Sequence, residues 1–247
     1  MKKIDVTAVS FLNTLPFIYG LQDLNKNNNF NLVLTPPSKC ADLAQKEIPD
    51  IVLIPVGAID KIKNYTLIDG YCLGTQNIVR SVLLLSNSPI EKINKIHLDS
   101  QSVTSNLLVQ ILAKHYWKVD VQISTDPNYD DDLNEAIVSI GDKAFSESKN
   151  FMYSLDLAEQ WYEMTNLPFV FAVWMYKEDI SQEFLKKFKD ALQSGIDSID
   201  DVIKEFDLLN RFPTFNIEEY LKNNMNYILD DKKKEAMSLF SKLTKEL

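Results

Sequence analysis

Apolar and polar positions change period several times along the chain, and each change marks an expected element. Lys3–Val9 alternates, with Ile4, Val6 and Ala8 on one face, and predicts a strand. Phe11-Leu12-Asn13-Thr14-Leu15-Pro16 then turns into a helix, with Asn13 or Thr14 as its cap and Pro16 in the first turn. Asn31–Thr35 is a second strand, stopped by Pro36-Pro37, and Ser38 is expected to cap a short helix through Lys46. Asp50–Pro55 is a continuous apolar run, the pattern of a sheet strand covered on both faces. Tyr65–Gly74 and Ile78–Ser86 read as two more strands.

After Asn87-Ser88-Pro89 a second series begins. Lys95–Asp99 is a strand, and Thr104–Trp117 is a helix with Leu108, Ile111, Leu112 and His115 on one stripe. Val119–Ser124 and Ala136–Ile140 are strands, and Gly141-Asp142 opens a short helix. Asp156–Thr165 is a helix, and Phe169–Tyr176 a strongly apolar strand. From Ser181 the pattern is helical almost to Leu247, with breaks expected near Gly195, Pro213 and Asn224-Met225-Asn226. Two α/β runs followed by a helical tail predict two lobes around a cleft. Residues 1–85 with 175–247 would form the first lobe and 86–174 the second, the chain crossing between them twice. Periodicity alone also allows one doubly wound sheet.

Composition narrows the function. With 247 residues, 45% of them hydrophobic, the chain can bury a sizeable core. Its 26 basic and 35 acidic residues give a net charge of −9, which disfavours binding to nucleic acid or to an anionic membrane surface. An anionic ligand would need a local pocket that overrides this field. Met1-Lys2-Lys3 leads into an alternating strand and not an apolar run, so no secretory signal is expected. No stretch reaches the roughly 18 apolar residues of a membrane span. Cys40 and Cys72 are too few for a disulfide scaffold and read as buried thiols in a reducing cytoplasm. No Gly-rich nucleotide fingerprint is present. Arginine occurs only at Arg80 and Arg211.

Three strand ends carry candidate chemistry. Ser100-Gln101-Ser102-Val103-Thr104-Ser105-Asn106 joins a strand to a helix and offers hydroxyls beside unpaired N–H groups, a good setting for a carboxylate; plain capping is the structural alternative. Ser10-Phe11-Leu12-Asn13-Thr14 follows the first strand, where ligands of α/β sheets bind, and Asn13 can both donate and accept. Ile140-Gly141-Asp142 ends another strand, where Asp142 either caps or meets ligand. Arg80 and Ser81, neighbours in an expected strand, should face opposite ways, with Ser81 a polar spot in an apolar wall. His97 and His115 read as structural. Asp130-Asp131-Asp132 lacks the spaced ligands of a calcium loop and reads as a solvated turn.

Several short segments, taken in order, resemble the chorismate dehydratases of the futalosine route to menaquinone. They are Ser10–Pro16 with Tyr19-Gly20-Leu21, Asp50–Val56, Val79-Arg80-Ser81-Val82-Leu83-Leu84, Asp99-Ser100 through Thr104-Ser105, Ile140-Gly141-Asp142, and Leu167–Trp174. The resemblance implies an α/β, two-lobed periplasmic-binding-protein-like fold of type II, with a central cleft and C-terminal helices, in a cytoplasmic protein. It implies loss of water from chorismate to give 3-[(1-carboxyvinyl)oxy]benzoate, without metal or organic cofactor. It points to Asn13 and Ser81 as active-site residues, and to Thr104 and Ser105 as holding a substrate carboxylate. Ser10, Asn106, Gly141 and Asp142 complete the expected substrate-binding set. The chain departs from the family pattern at Gln101-Ser102-Val103, where a basic residue is usual, and at Asn166, where glycine is usual. The second change should affect only a turn, since Asn tolerates positive φ. Two other readings fit the same fold: a cytoplasmic protein that binds a small anion without turnover, and the sister enzyme that makes 1,4-dihydroxy-6-naphthoate.

Overall fold

A computed structural model describes residues 3–28, 30–126 and 133–247, so the Asp130-Asp131-Asp132 turn lies outside the described residues. Eleven strands form two sheets among these residues. The first sheet contains β1 (Asp5–Val9), β2 (Asn31–Thr35), β3 (Ile51–Pro55), β4 (Thr66–Thr75), β10 (Phe169–Tyr176) and β11 (Asn226–Ile228), in the order β11-β4-β10-β3-β1-β2. The second contains β5 (Val82–Ser86), β6 (Lys95–His97), β7 (Gln122–Ser124), β8 (Glu135–Ile140) and β9 (Tyr153–Asp156), in the order β7-β6-β8-β5-β9. In each sheet three strands run parallel, and a strand that follows a crossover lies antiparallel beside them: β10 against β3, and β5 against β8.

This pairing moves the crossings expected from sequence. Val82–Ser86 belongs to the second sheet and Phe169–Trp174 to the first, so the chain changes sheets before β5 and before β10. The expected strand over Ile78–Ser86 is also shorter, because Asp156 intervenes. Its Oδ2 accepts the N–H groups of Val79 and Arg80 at 3.0 and 2.7 Å, and Arg80 takes a left-handed φ of +67°. Those bonds replace a sheet ladder over the crossover. Arg80 is left exposed and Ser81 buried.

The helices are α1 (Leu15–Asn28), α2 (Pro37–Gln45), α3 (Thr104–Leu112), α4 (Ala144–Glu147), α5 (Leu157–Thr165) and α6 (Gln182–Asp197), followed by shorter tail segments and a last helix over Asp231–Thr244. No side chain caps the turn over Leu12–Thr14, and Ser38 sits inside α2 with Pro36 at the cap. The break expected near Gly195 falls just after it, at Ser198, between α6 and the short helix Ile199–Glu205. Gly195 and Gly20 lie where α6 crosses α1, and a Cβ on either would stand 1.8 Å from a carbonyl oxygen of the other helix. Two short strands, β9 and β11, escape the sequence pattern because each has only three or four residues. Asn166 ends α5 in a left-handed conformation with φ +56°, as expected of an Asn in place of glycine.

The core is rich in aromatic pairs. Trp174 meets Phe17 and Phe188 edge-on, with ring centroids 5.9 and 5.1 Å apart. Trp161, Phe169 and Phe240 form a second edge-on cluster. Cys40 and Cys72 are buried free thiols, pushed up to about 12 by burial. His97 is buried against Glu135, with Nε2 2.6 Å from Oε2.

Candidate functional site

Strand ends from both sheets converge on one cleft. Val9 and Pro55 end β1 and β3, Ile140 ends β8, and Ser81 leads into β5. Asn13, Ser81, Thr104, Ser105 and Gly141 line it together, with Phe11 and Phe171 as aromatic walls. The walls stand close together, leaving a narrow cleft with a cavity volume of about 50 Å³.

Asn13 lies in the tight turn that follows β1 and is 9% exposed. The strand ends because the chain must turn back under the sheet, and this turn brings an amide side chain to the carboxyl edge. Thr14 Oγ1 donates to its Oδ1 at 3.3 Å. Ser81 is 1% exposed. Its backbone oxygen accepts the Gly141 N–H at 2.9 Å. Its Oγ accepts a 2.8 Å bond from the hydroxyl of buried Tyr220.

The loop before α3 is held from within. Asn106 accepts the Asp99 N–H at 3.1 Å and donates to the Asp99 and Ser102 carbonyls at 2.8 and 2.9 Å. It therefore shapes the loop and does not line the cleft. Ser102 Oγ accepts the Ser105 N–H at 3.0 Å. Thr104 Oγ1 donates to the Phe171 carbonyl at 3.1 Å and accepts the Gly57 N–H at 3.2 Å. Thr104 thus ties the start of α3 to the edge of the first sheet. The N-terminal end of α3, with the Ser102, Thr104 and Ser105 hydroxyls, lines the cleft and supplies the positive end of a helix dipole.

Two other expected binding residues stand off the lining. Ser10 is exposed, and its N–H extends the pairing of β1 with β2 by donating to Thr35 O at 3.1 Å. Asp142 turns its carboxylate to the Leu12 N–H at 3.0 Å. Burial raises the Asp142 carboxyl above its ordinary range, with the Leu12 amide and the Arg211 guanidinium opposing. Gly141 does line the cleft. Its φ of +68° and the Phe11 ring, 2.9 Å from where a Cβ would stand, both favour glycine.

Among the described residues no charged side chain lines the cleft; its polar groups there are neutral amide, hydroxyl and backbone donors. Such a surface can orient an anion through hydrogen bonds and a helix terminus, and it offers no strong base of its own. Among the described residues no group of three or more His, Cys, Asp or Glu side chains could hold a metal, and no helix is long and apolar enough to cross a membrane. Tyr220 is the participant that sequence reasoning missed. It lies in a tail read only as helical, and no local pattern ties it to Ser81, 139 residues away.

Comparison with known proteins bears on the family and the fold. A family model described as menaquinone biosynthesis matches residues 4–246. A chorismate dehydratase of Campylobacter jejuni is 27% identical over 249 residues, covering 97% of this chain and 96% of that protein. The crystal structure of an Archaeoglobus fulgidus protein aligns with a TM-score of 0.77 at 17% identity, covering 99% of this chain and 97% of that one. A Candida albicans protein, described as having the generic periplasmic binding protein fold, aligns with a TM-score of 0.64 at 13% identity, covering 100% of this chain and 94% of that one. The fold is the two-lobed periplasmic-binding-protein fold.

Proposed function

We propose, for a chain that belongs to the menaquinone-biosynthesis family, that it is a chorismate dehydratase: a lyase that removes water from chorismate to give 3-[(1-carboxyvinyl)oxy]benzoate. The reading places it in the cytoplasm, on the futalosine route. The observation that carries it is the meeting of Asn13, Ser81 and the start of α3 in one cleft.

The chemistry asks for little catalytic machinery. The C3–H bond of chorismate breaks, its electron pair enters the ring as the C4–O bond breaks, and the departing hydroxide takes up a proton to leave as water. The ring becomes aromatic, which supplies the driving force. The protein has to bind, orient and keep competing reactions out. Since none of the described residues lining the cleft is a carboxylate, lysine or histidine, a carboxylate of the substrate itself is the base in this reading. Asn13 and Ser81 fix that carboxylate by donating hydrogen bonds. The Ser102 and Ser105 hydroxyls and the positive end of α3 hold the other carboxylate, while Thr104, whose proton goes to the Phe171 carbonyl, positions that turn. Phe11 and Phe171 flank the ring and exclude water.

Asn13→Ala and Ser81→Ala each remove one orienting donor. Each should lower kcat/KM by about 100-fold while the thermal unfolding midpoint stays near that of the wild type. Folded variants that keep full kcat/KM would remove these residues from the mechanism. A wild-type protein that binds chorismate and leaves it intact would favour a binding protein instead.

A further inference from the structure

Ser81 has a partner whose chemistry restricts what it can do. Tyr220 OH lies 2.8 Å from Ser81 Oγ, and both side chains are buried. The tyrosine stands behind the cleft wall, outside the lining. Its ring is fixed by Phe145 and Phe215, with centroids 5.2 and 5.6 Å away, and its carbonyl accepts the Met225 N–H at 2.9 Å. Three parts of the chain thus meet at one hydroxyl pair: the crossover before β5, the helix after β8, and the tail.

Burial holds the Tyr220 phenol well above its usual range, and the charges of Asp142 and Asp156 push the same way, against its hydrogen-bonding contacts with Ser81 and Asn13. It stays protonated wherever the protein is folded. A phenol is also a better donor than an aliphatic alcohol. The phenol proton therefore lies on the Ser81 oxygen, and the Ser81 proton is free to point elsewhere.

We infer that Tyr220 is a positioning residue: by donating to Ser81 Oγ it turns the Ser81 proton into the cleft, so that Ser81 acts as a hydrogen-bond donor to the substrate carboxylate and not as a base or nucleophile. The inference rests on the proposed dehydration and deepens it. It gives one tail residue a role in setting the geometry of the reacting groups.

A double-mutant cycle with Tyr220→Phe and Ser81→Ala, read as kcat/KM for chorismate, tests this. Tyr220→Phe keeps the ring and its packing and should lower kcat/KM about tenfold, the effect of one hydrogen bond. In the Ser81→Ala background the same change should cost much less, because Ser81 is the group to which the Tyr220 hydroxyl donates. Additive losses, or full activity in Tyr220→Phe, would overturn the inference while the dehydratase reading stood. A wild-type protein inert toward chorismate would instead overturn the reading on which the inference rests. A polyfluorinated tyrosine at position 220 gives a second measurement that does not depend on the Phe variant folding. Its more acidic phenol should add an alkaline limb to the pH profile of kcat/KM that the wild type lacks. An unchanged profile from a sample shown to ionise at that residue would also contradict the assignment.

Discussion

Asp142 Oδ1 accepts the backbone N–H of Leu12 at 3.0 Å, across 130 residues of chain. The carboxylate belongs to the turn after β8 in the second sheet, and the amide to the turn after β1 in the first. The bond joins the two lobes beside Asn13. A residue expected to touch substrate thus acts on the turn that presents Asn13.

Asp142→Ala removes this tie between the lobes. The expected result is a fall in kcat/KM of about tenfold, mostly through a higher KM, because the closed cleft becomes less favoured. Asp142→Asn keeps an oxygen that can accept the Leu12 N–H and should stay within a few-fold of wild type. Steady-state kinetics on both variants separate the two roles. Near-complete loss in Asp142→Asn would mark Asp142 as an acid or base in the reaction.

Gly195 belongs to a helix crossing that leaves no room for a methyl group. A Cβ there would stand 1.8 Å from the Pro16 carbonyl oxygen. Gly195→Ala should force α6 away from α1 and cost about 3 kcal/mol, although alanine favours helix. Denaturant titration of the purified variant measures this. A variant as stable as wild type would show that the helices can part without loss.

Asp156 gives a pH signature. Burial pushes its carboxyl up to about 6, while the N–H groups of Arg80, Glu159, Val79 and Ala158 pull it down. A native value above the ordinary 3.8 means the folded chain holds this proton more tightly than the unfolded one. Its contribution to stability is complete at pH values below the ordinary one and is lost as pH rises through about 6. The stability of wild type relative to Asp156→Asn should therefore rise as the pH falls from neutral through that value. A difference that is flat with pH would mean the four donors keep the carboxylate charged throughout.

Long elements with strong periodicity were legible in the sequence. The apolar run at β3 and the stripe of Leu108, Ile111 and Leu112 on α3 report burial directly, and both elements stand where the pattern puts them. The crossover before β5 was not legible, since the bonds from Asp156 to Val79 and Arg80 are long-range and leave no local trace. The close approach at Gly195 was not legible for a related reason. The same residue serves as a helix breaker or as a close-approach residue, and only the partner helix decides which. In the cleft, strand ends point to Asn13, Thr104, Ser105 and Gly141, while Ser81 is marked only as a polar spot in an expected strand and by the family resemblance; the fold brings all five to one lining. The roles of Asn106 within its loop and of Asp142 between lobes depend on which way each side chain turns. A residue that serves through another, as Tyr220 does through Ser81, carries no signature in a chain read locally.

The most direct test of the central claim is to incubate the purified protein with chorismate, without added cofactor, and follow the products by mass spectrometry against an enzyme-free control. The account predicts a product lighter by one water that co-elutes with authentic 3-[(1-carboxyvinyl)oxy]benzoate and forms far faster than in the control. Chorismate that stays intact beside a folded protein would contradict it.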